Sequence, residues 1–199
     1  SSRLICSFDD EKYYTFNSVN NLVLKEDNYN LKFLLGILNS RLIDHFYRRN
    51  YSLDASYTIT VTKTNLDSIP VPKWKNSDVQ QKIISNVDFI IKENKNIVQR
   101  SLSFQKLLKN KYSLEKLSKK VQGWYQYDFG TLLKELKKYK IQLSLKEEAE
   151  WMEYFTNEQE EIKALISEIE NRDNEIDKIV YELYRLTEEE INIVEEATA

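Results

Sequence analysis

One stretch of this chain leaves little choice of secondary structure. Ile83, Val87, Ile90, Asn94, Ile97, Ser101, Phe104 and Leu108 recur at alternating steps of four and three. Only a helix gathers such positions on one face, as a heptad seam. Ser77 with Gln80 forms a capping box in front of it, which places the helix start at Ser77. Asn94 and Ser101 are the polar members of the seam, expected to weaken it while fixing its register. A second seam runs through Phe155, Ile162, Leu165, Ile169, Ile176, Ile179 and Leu183, interrupted by Arg172. Its start signal is Ser144 with Glu147, and unbroken to Arg185 it spans about 60 Å. The simplest use of two such seams is to pack against each other as antiparallel helices. A short last helix is expected from Thr187, capped by Glu190, with Leu186 and Ile191 as its hydrophobic staple.

Three Gly and two Pro among 199 residues permit such lengths of helix. The same scarcity excludes whole classes of function. Gly36, Gly123 and Gly130 are too far apart for a P-loop or a dinucleotide fingerprint. One His (His45) and one Cys (Cys6) cannot build a Cys/His zinc site or a disulfide framework. Asp88, Glu93 and Lys95 echo a nuclease motif only loosely, because within one helix they do not converge on a metal.

The first 75 residues read differently. Arg3–Phe8, Tyr13–Asn17 and Asn20–Lys25 alternate or are rich in aromatic and β-branched residues, as strands are. Asn30 reads as the N-cap of a helix over Leu31–Arg49. Tyr57–Val61 reads as a further strand, and Ile69-Pro70-Val71-Pro72 as extended chain. The expectation is an α+β fold. A small mixed β-sheet module over 1–75 is followed by a helical region over 76–199 with long antiparallel helices. The latter carries a basic, aromatic subregion at 109–143.

Charge divides the chain. Residues 1–140 hold 24 Lys and Arg against 14 Asp and Glu, whereas residues 141–199 hold 5 against 18. A basic part joined to an acidic part points to nucleic-acid contact by the former. No apolar run approaches the roughly 20 residues of a membrane span. A lone Cys and the absence of a signal-peptide pattern point to the cytoplasm, and the start Ser1-Ser2-Arg3 to a fragment of a longer chain.

The candidate DNA-binding residues are Arg48, Arg49, Tyr51, Tyr57, Lys63, Thr64, Lys73, Lys75, Lys109 and Lys111, with Asn50, Asn65 and Trp74 among them. Such a mixture of cations, amides, hydroxyls and aromatics holds phosphates and reaches base edges. A wider basic cluster comprises Lys106, Lys116, Lys119 and Lys120, then Lys134, Lys137, Lys138 and Lys140. No constellation in the chain reads as catalytic.

Three segments carry a family resemblance. Asn30-Leu31-Lys32-Phe33-Leu34-Leu35-Gly36-Ile37-Leu38-Asn39-Ser40-Arg41-Leu42-Ile43 resembles a helix of the TaqI-like C-terminal specificity domain. Leu66-Asp67-Ser68-Ile69-Pro70-Val71-Pro72 resembles that family's "L-x-x-I-P-[IV]-P" signature. The segment from Glu175 to Ile191, with Val194-Glu195, is similar to its closing motif, apart from Arg185 where the family usually has Gly. The resemblance implies the target-recognition domain of a type II restriction–modification enzyme or N6-adenine DNA methyltransferase. It implies duplex DNA as partner, together with the methyltransferase domain of the same parent chain. It also implies no cofactor in this portion, with S-adenosylmethionine and Mg belonging to the parent enzyme. The competing expectation is a helical protein-interaction scaffold, whose discriminator is self-association in solution.

Overall fold

The computed structural model describes residues 4–16, 19–24, 29–51, 61–73, 75 and 77–198. Eight α-helices lie among them: α1 (Leu31–Asn39), α2 (Arg41–Tyr51), α3 (Lys63–Asp67), α4 (Asp78–Tyr112), α5 (Lys119–Gln122), α6 (Phe129–Lys138), α7 (Leu145–Tyr184) and α8 (Glu188–Thr198). A 3₁₀ turn at Trp124–Gln126 follows α5. The chain forms two compact units that are not contiguous in sequence. Unit 1 is Ser1–Ile90 with Asn171–Ala199, and unit 2 is Ile91–Glu170.

No strand exists among the described residues, so the expected α+β fold with its mixed sheet is replaced by an all-helical one. The alternation at the N-terminus is genuine: Leu4 is buried and Ile5 is 79% exposed. Its backbone, however, bonds to side chains instead of to another strand. Leu4 N–H donates to Asp44 Oδ1 at 3.0 Å, and Cys6 N–H to Asn39 Oδ1 at 2.8 Å. Asn39 Nδ2 donates back to the Cys6 carbonyl at 3.0 Å. Two helix side chains thus replace a neighbouring strand, satisfying backbone groups that would otherwise need a ladder. Residues 13–16 and 20–23 are exposed and form no strand among the described residues. The expected strand at Tyr57–Val61 lies, but for Val61, outside the described residues.

The helix expected over Leu31–Arg49 is two helices. Asn30 caps α1 by accepting from the Lys32 and Phe33 amides. Ser40, at φ −66° and ψ 153°, then breaks the chain direction, its hydroxyl donating to the Ile37 carbonyl. The new N-terminus is satisfied from across unit 1, where Asp177 on α7 accepts the Arg41 N–H at 2.8 Å. α1 packs closely onto α4 through Gly36. A Cβ there would stand 2.5 Å from Ile83 Cγ2 and 3.2 Å from Val87 Cγ2. Phe33, Ile37, Ile43, Tyr47, Ile83 and Val180 are the fully buried heart of unit 1.

Unit 2 is built on aromatic stacking. Phe104 lies 4.0 Å from Trp124 in a stacked pair, and Trp151 and Phe155 meet it edge-on at 5.8 and 6.0 Å. Antiparallel α4 and α7 are further joined here by Arg100, which reaches Glu158 at 3.0 Å and Glu161 at 3.4 Å. Gln159 donates to the carbonyls of Tyr125 and Tyr127, pinning the 3₁₀ turn beneath them. The seam of α4 departs from a strict heptad in one place. Asn94 is exposed, and Glu93 is buried in its stead.

The expected capping boxes form at α4 and α7. Gln80 N–H meets Ser77 Oγ at 3.4 Å, and Glu147 N–H meets Ser144 Oγ at 3.3 Å. At α8, Thr187 and Glu190 exchange the same pair of bonds. Three helices end without glycine. Ser113, Lys140 and Arg185 take positive φ, and Leu114, Ile141 and Leu186 then bond back to carbonyls five residues earlier. These are Schellman closures in which an ordinary residue occupies the left-handed position.

Candidate nucleic-acid interface

The candidate residues of unit 1 cluster around three anchored backbone segments. α2 ends in Arg48-Arg49-Asn50-Tyr51. Arg48 is held by its own helix: Nη2 stands 2.9 Å from Asp44 Oδ2, while the other oxygen of this buried carboxylate accepts Leu4 N–H. Asp44 therefore couples the position of Arg48 to the docking of the N-terminal segment. Arg49 is exposed. Asn50 Nδ2 donates to the Phe46 carbonyl at 2.7 Å, closing the last turn of α2. The Tyr51 ring lies 5.1 Å from Tyr47 and 6.4 Å from Phe46, and its hydroxyl meets Ser68 Oγ just beyond α3. Tyr51 thus joins α2 to the end of α3.

Thr62 caps α3 by accepting from the Asn65 amide. Lys63 and Thr64 are exposed on its first turn. Lys63 pairs with Asp67 at 2.7 Å, and that hydrogen bond raises the ammonium above its ordinary pKa. The double-proline segment that follows is fixed at both ends. Ile69 is buried, and the Tyr184 hydroxyl donates to the Pro70 carbonyl. Burial raises the Tyr184 phenol well above its ordinary pKa, so it remains a donor. Farther on, the buried amide of Gln80 donates to the Lys73 carbonyl at 2.9 Å and accepts from Lys75 N–H at 2.8 Å. The backbone of both lysines is pinned while their side chains stand exposed. Tyr57 and Trp74 lie outside the described residues.

The remaining two candidates sit in unit 2, on the last turn of α4. Lys109 is exposed. Lys111 lies over the rings of Trp151 and Tyr112 at 5.4 and 5.8 Å, and 3.9 Å from Glu147. It lines a cleft of about 170 Å³ with Glu150, Trp151 and Tyr154. That volume falls short of the roughly 300 Å³ at which small-molecule sites begin.

Sequence reasoning missed Asp44 and Asp177 as organisers of this surface and found Gln80 only as the capping partner of Ser77; all three are less than 5% exposed. Their one visible signal is a polar side chain beside the apolar face of a helix, where a backbone amide needs an acceptor. Burial, with Asp177 and Glu195 nearby, pushes the Tyr181 hydroxyl up to about 12. Among the described residues no three His, Cys, Asp or Glu side chains are grouped to hold a metal ion. No described helix is long and apolar enough to cross a membrane.

Comparison with known families divides the chain at nearly one point. Residues 1–71 match the TaqI-like C-terminal specificity domain. Residues 76–180, more than half of the chain, match a domain of unknown function, DUF8810. No match was found among curated proteins or solved structures.

Proposed function

The chain belongs to the DUF8810 family and carries a TaqI-like C-terminal specificity domain over residues 1–71, and on that premise we propose that it is the duplex-DNA target-recognition portion of a type II restriction–modification enzyme or adenine-specific DNA methyltransferase. The specificity-domain match is the observation that carries this reading. The surface of unit 1 supports it: Arg49, Thr64, Lys73 and Lys75 are exposed there, while Asp177 holds the start of α2 at Arg41, Thr62 caps α3, and Gln80 holds the backbone of Lys73 and Lys75. Rigid backbone beneath mobile cations is what phosphate positioning needs, and Arg49 has the forked donor geometry that reads guanine edges.

In this proposal the portion binds and reads DNA, and catalysis belongs to a methyltransferase domain of the same parent chain. S-adenosylmethionine, and Mg where the parent also cleaves, belong with that domain. The substrate places the protein in the prokaryotic cytoplasm, at the nucleoid. Fluorescence anisotropy of a labelled duplex tests the reading. Binding should be tight at low salt and should weaken with a log–log slope of several units. Absence of binding to any duplex at low salt would refute it.

A further inference from the structure

Residues 109–143 contain nine lysines and no arginine. Three acids share the segment, and two are already committed. Asp128 caps α6 by accepting the Thr131 amide at 2.6 Å, and that bond lowers its pKa. Glu135 is 4% exposed and accepts from Lys138 at 2.6 Å and from Ser118 Oγ at 2.8 Å. Because Ser118 is also the N-cap of α5, the buried carboxylate ties the start of α5 to α6. Tyr139 adds a second tie, its hydroxyl accepting the Ser118 N–H at 2.6 Å.

The consequence is a predominantly basic surface; Glu115 and Asp128 are the exposed acids of the segment. α6 buries Leu132, Glu135 and Leu136 and turns Lys134, Lys137 and Lys138 to solvent. α5 buries Val121 and exposes Lys119 and Lys120. No large apolar side chain on the outer face of α6 interrupts these lysines; Gly130 is the neighbour. A protein-binding patch is built around several aromatic or aliphatic anchors, whereas here one exposed ring, Tyr127, adjoins the lysines, with Lys120 5.7 Å over it. A phosphate backbone requires only charge. The residue type is informative as well. Lysine is a point charge on a flexible stem, without the planar fork with which arginine recognises guanine.

We infer that the lysine face of α5 and α6 is a second DNA-contacting surface, which grips the phosphate backbone of a duplex without reading its sequence. The inference rests on the DNA-recognition reading only for the identity of the polyanion. It assigns to the DUF8810 part of the chain a role that its family description leaves open.

The test uses the full chain and a random-sequence duplex, titrated by anisotropy across a range of salt. The variant K119Q/K134Q/K137Q removes three exposed ammoniums and leaves the Glu135–Lys138 pair intact. It should bind about tenfold or more weakly, and its log–log salt slope should shrink by about two to three units. A control variant, K146Q/K163Q on acidic α7, should behave as the parent chain, and circular dichroism should show equal helicity for all three. An unchanged slope in the triple variant would overturn the inference. So would a triple variant with unaltered DNA binding that has lost a concentration-dependent self-association, since the face would then meet acidic α7 of a second copy. Loss of slope without any sequence preference in the parent chain would refute only the recognition reading. Sequence preference with an unaltered slope would refute only the second surface.

Discussion

The two units hold their basic side chains in different ways. In unit 1 the cations stand on backbone pinned by buried polar groups: Asp44 at Leu4, Asp177 at Arg41 and Gln80 at Lys73 and Lys75. In unit 2 they stand on short helices laid over an aromatic core of Phe104, Trp124, Trp151 and Phe155, with one buried carboxylate, Glu135, among them. Unit 1 has the arginines at the end of α2, whereas the 109–143 segment has only lysines. Side chain-to-backbone hydrogen bonds fix position closely but are individually modest, about 1 kcal/mol each. Aromatic burial contributes several kcal/mol while constraining surface groups less. Base readout requires the first kind of scaffold, and a phosphate grip tolerates the second.

The largest effect should come from breaking the aromatic core. Phe104→Ala should cost about 3–5 kcal/mol, read by chemical denaturation followed by fluorescence of Trp124 and Trp151, both in unit 2. A cost under 1 kcal/mol would remove Phe104 from the centre of that core. Removing a polar staple should cost less and act locally. Asp44→Ala should lose about 2 kcal/mol, since it strips the Leu4 amide of its acceptor and Arg48 of its partner. Hydrogen exchange should show the Leu4 amide losing protection. Gly36→Ala should cost about 1–2 kcal/mol through the clash with Ile83 Cγ2, with Ile83→Leu, which removes that methyl, restoring part of the loss. In the opposite direction, Arg185→Gly should stabilise by about 1 kcal/mol, because the left-handed residue after α7 would no longer carry a Cβ.

The smallest effect is one of pH. Lys138 and then Ser118 hold the Glu135 carboxyl below the usual glutamate range. A depressed carboxyl contributes stability above its unfolded pKa and loses it as pH falls through its folded one. Thermal melts should therefore drop more steeply on acidification in the parent chain than in Glu135→Gln. Equal acid sensitivity would detach Glu135 from the α5–α6 contact.

What was legible in the sequence follows from how local the determinant is. Ser77/Gln80, Ser144/Glu147, Thr187/Glu190 and Asn30 act within one turn, and each forms the bonds that its spacing implies. The break at Ser40 was not legible, because the acceptor that makes it tolerable, Asp177, lies 136 residues away. The sheet was misread for the same reason. Alternation at residues 4–8 records which side chains are buried, and it is blind to whether a strand or a helix side chain satisfies the backbone. The three glycine-free Schellman closures follow a subtler signal: an apolar residue, Leu114, Ile141 or Leu186, directly after the left-handed one. At the candidate interface the exposed cations were visible as residue types. Of the buried groups that fix them, Asp44 was not visible, and Gln80 was visible only as the capping partner of Ser77.

Sequence-selective recognition by the first unit is tested most directly by selection of duplexes from a randomised library with the full chain, followed by the same selection with Arg49→Gln. A common sequence should be enriched by the parent chain, and the variant should lose preference at one or two of its positions, at about 1–3 kcal/mol each. Enrichment of no sequence, with binding governed by salt alone, would contradict the claim that this part of the chain reads DNA.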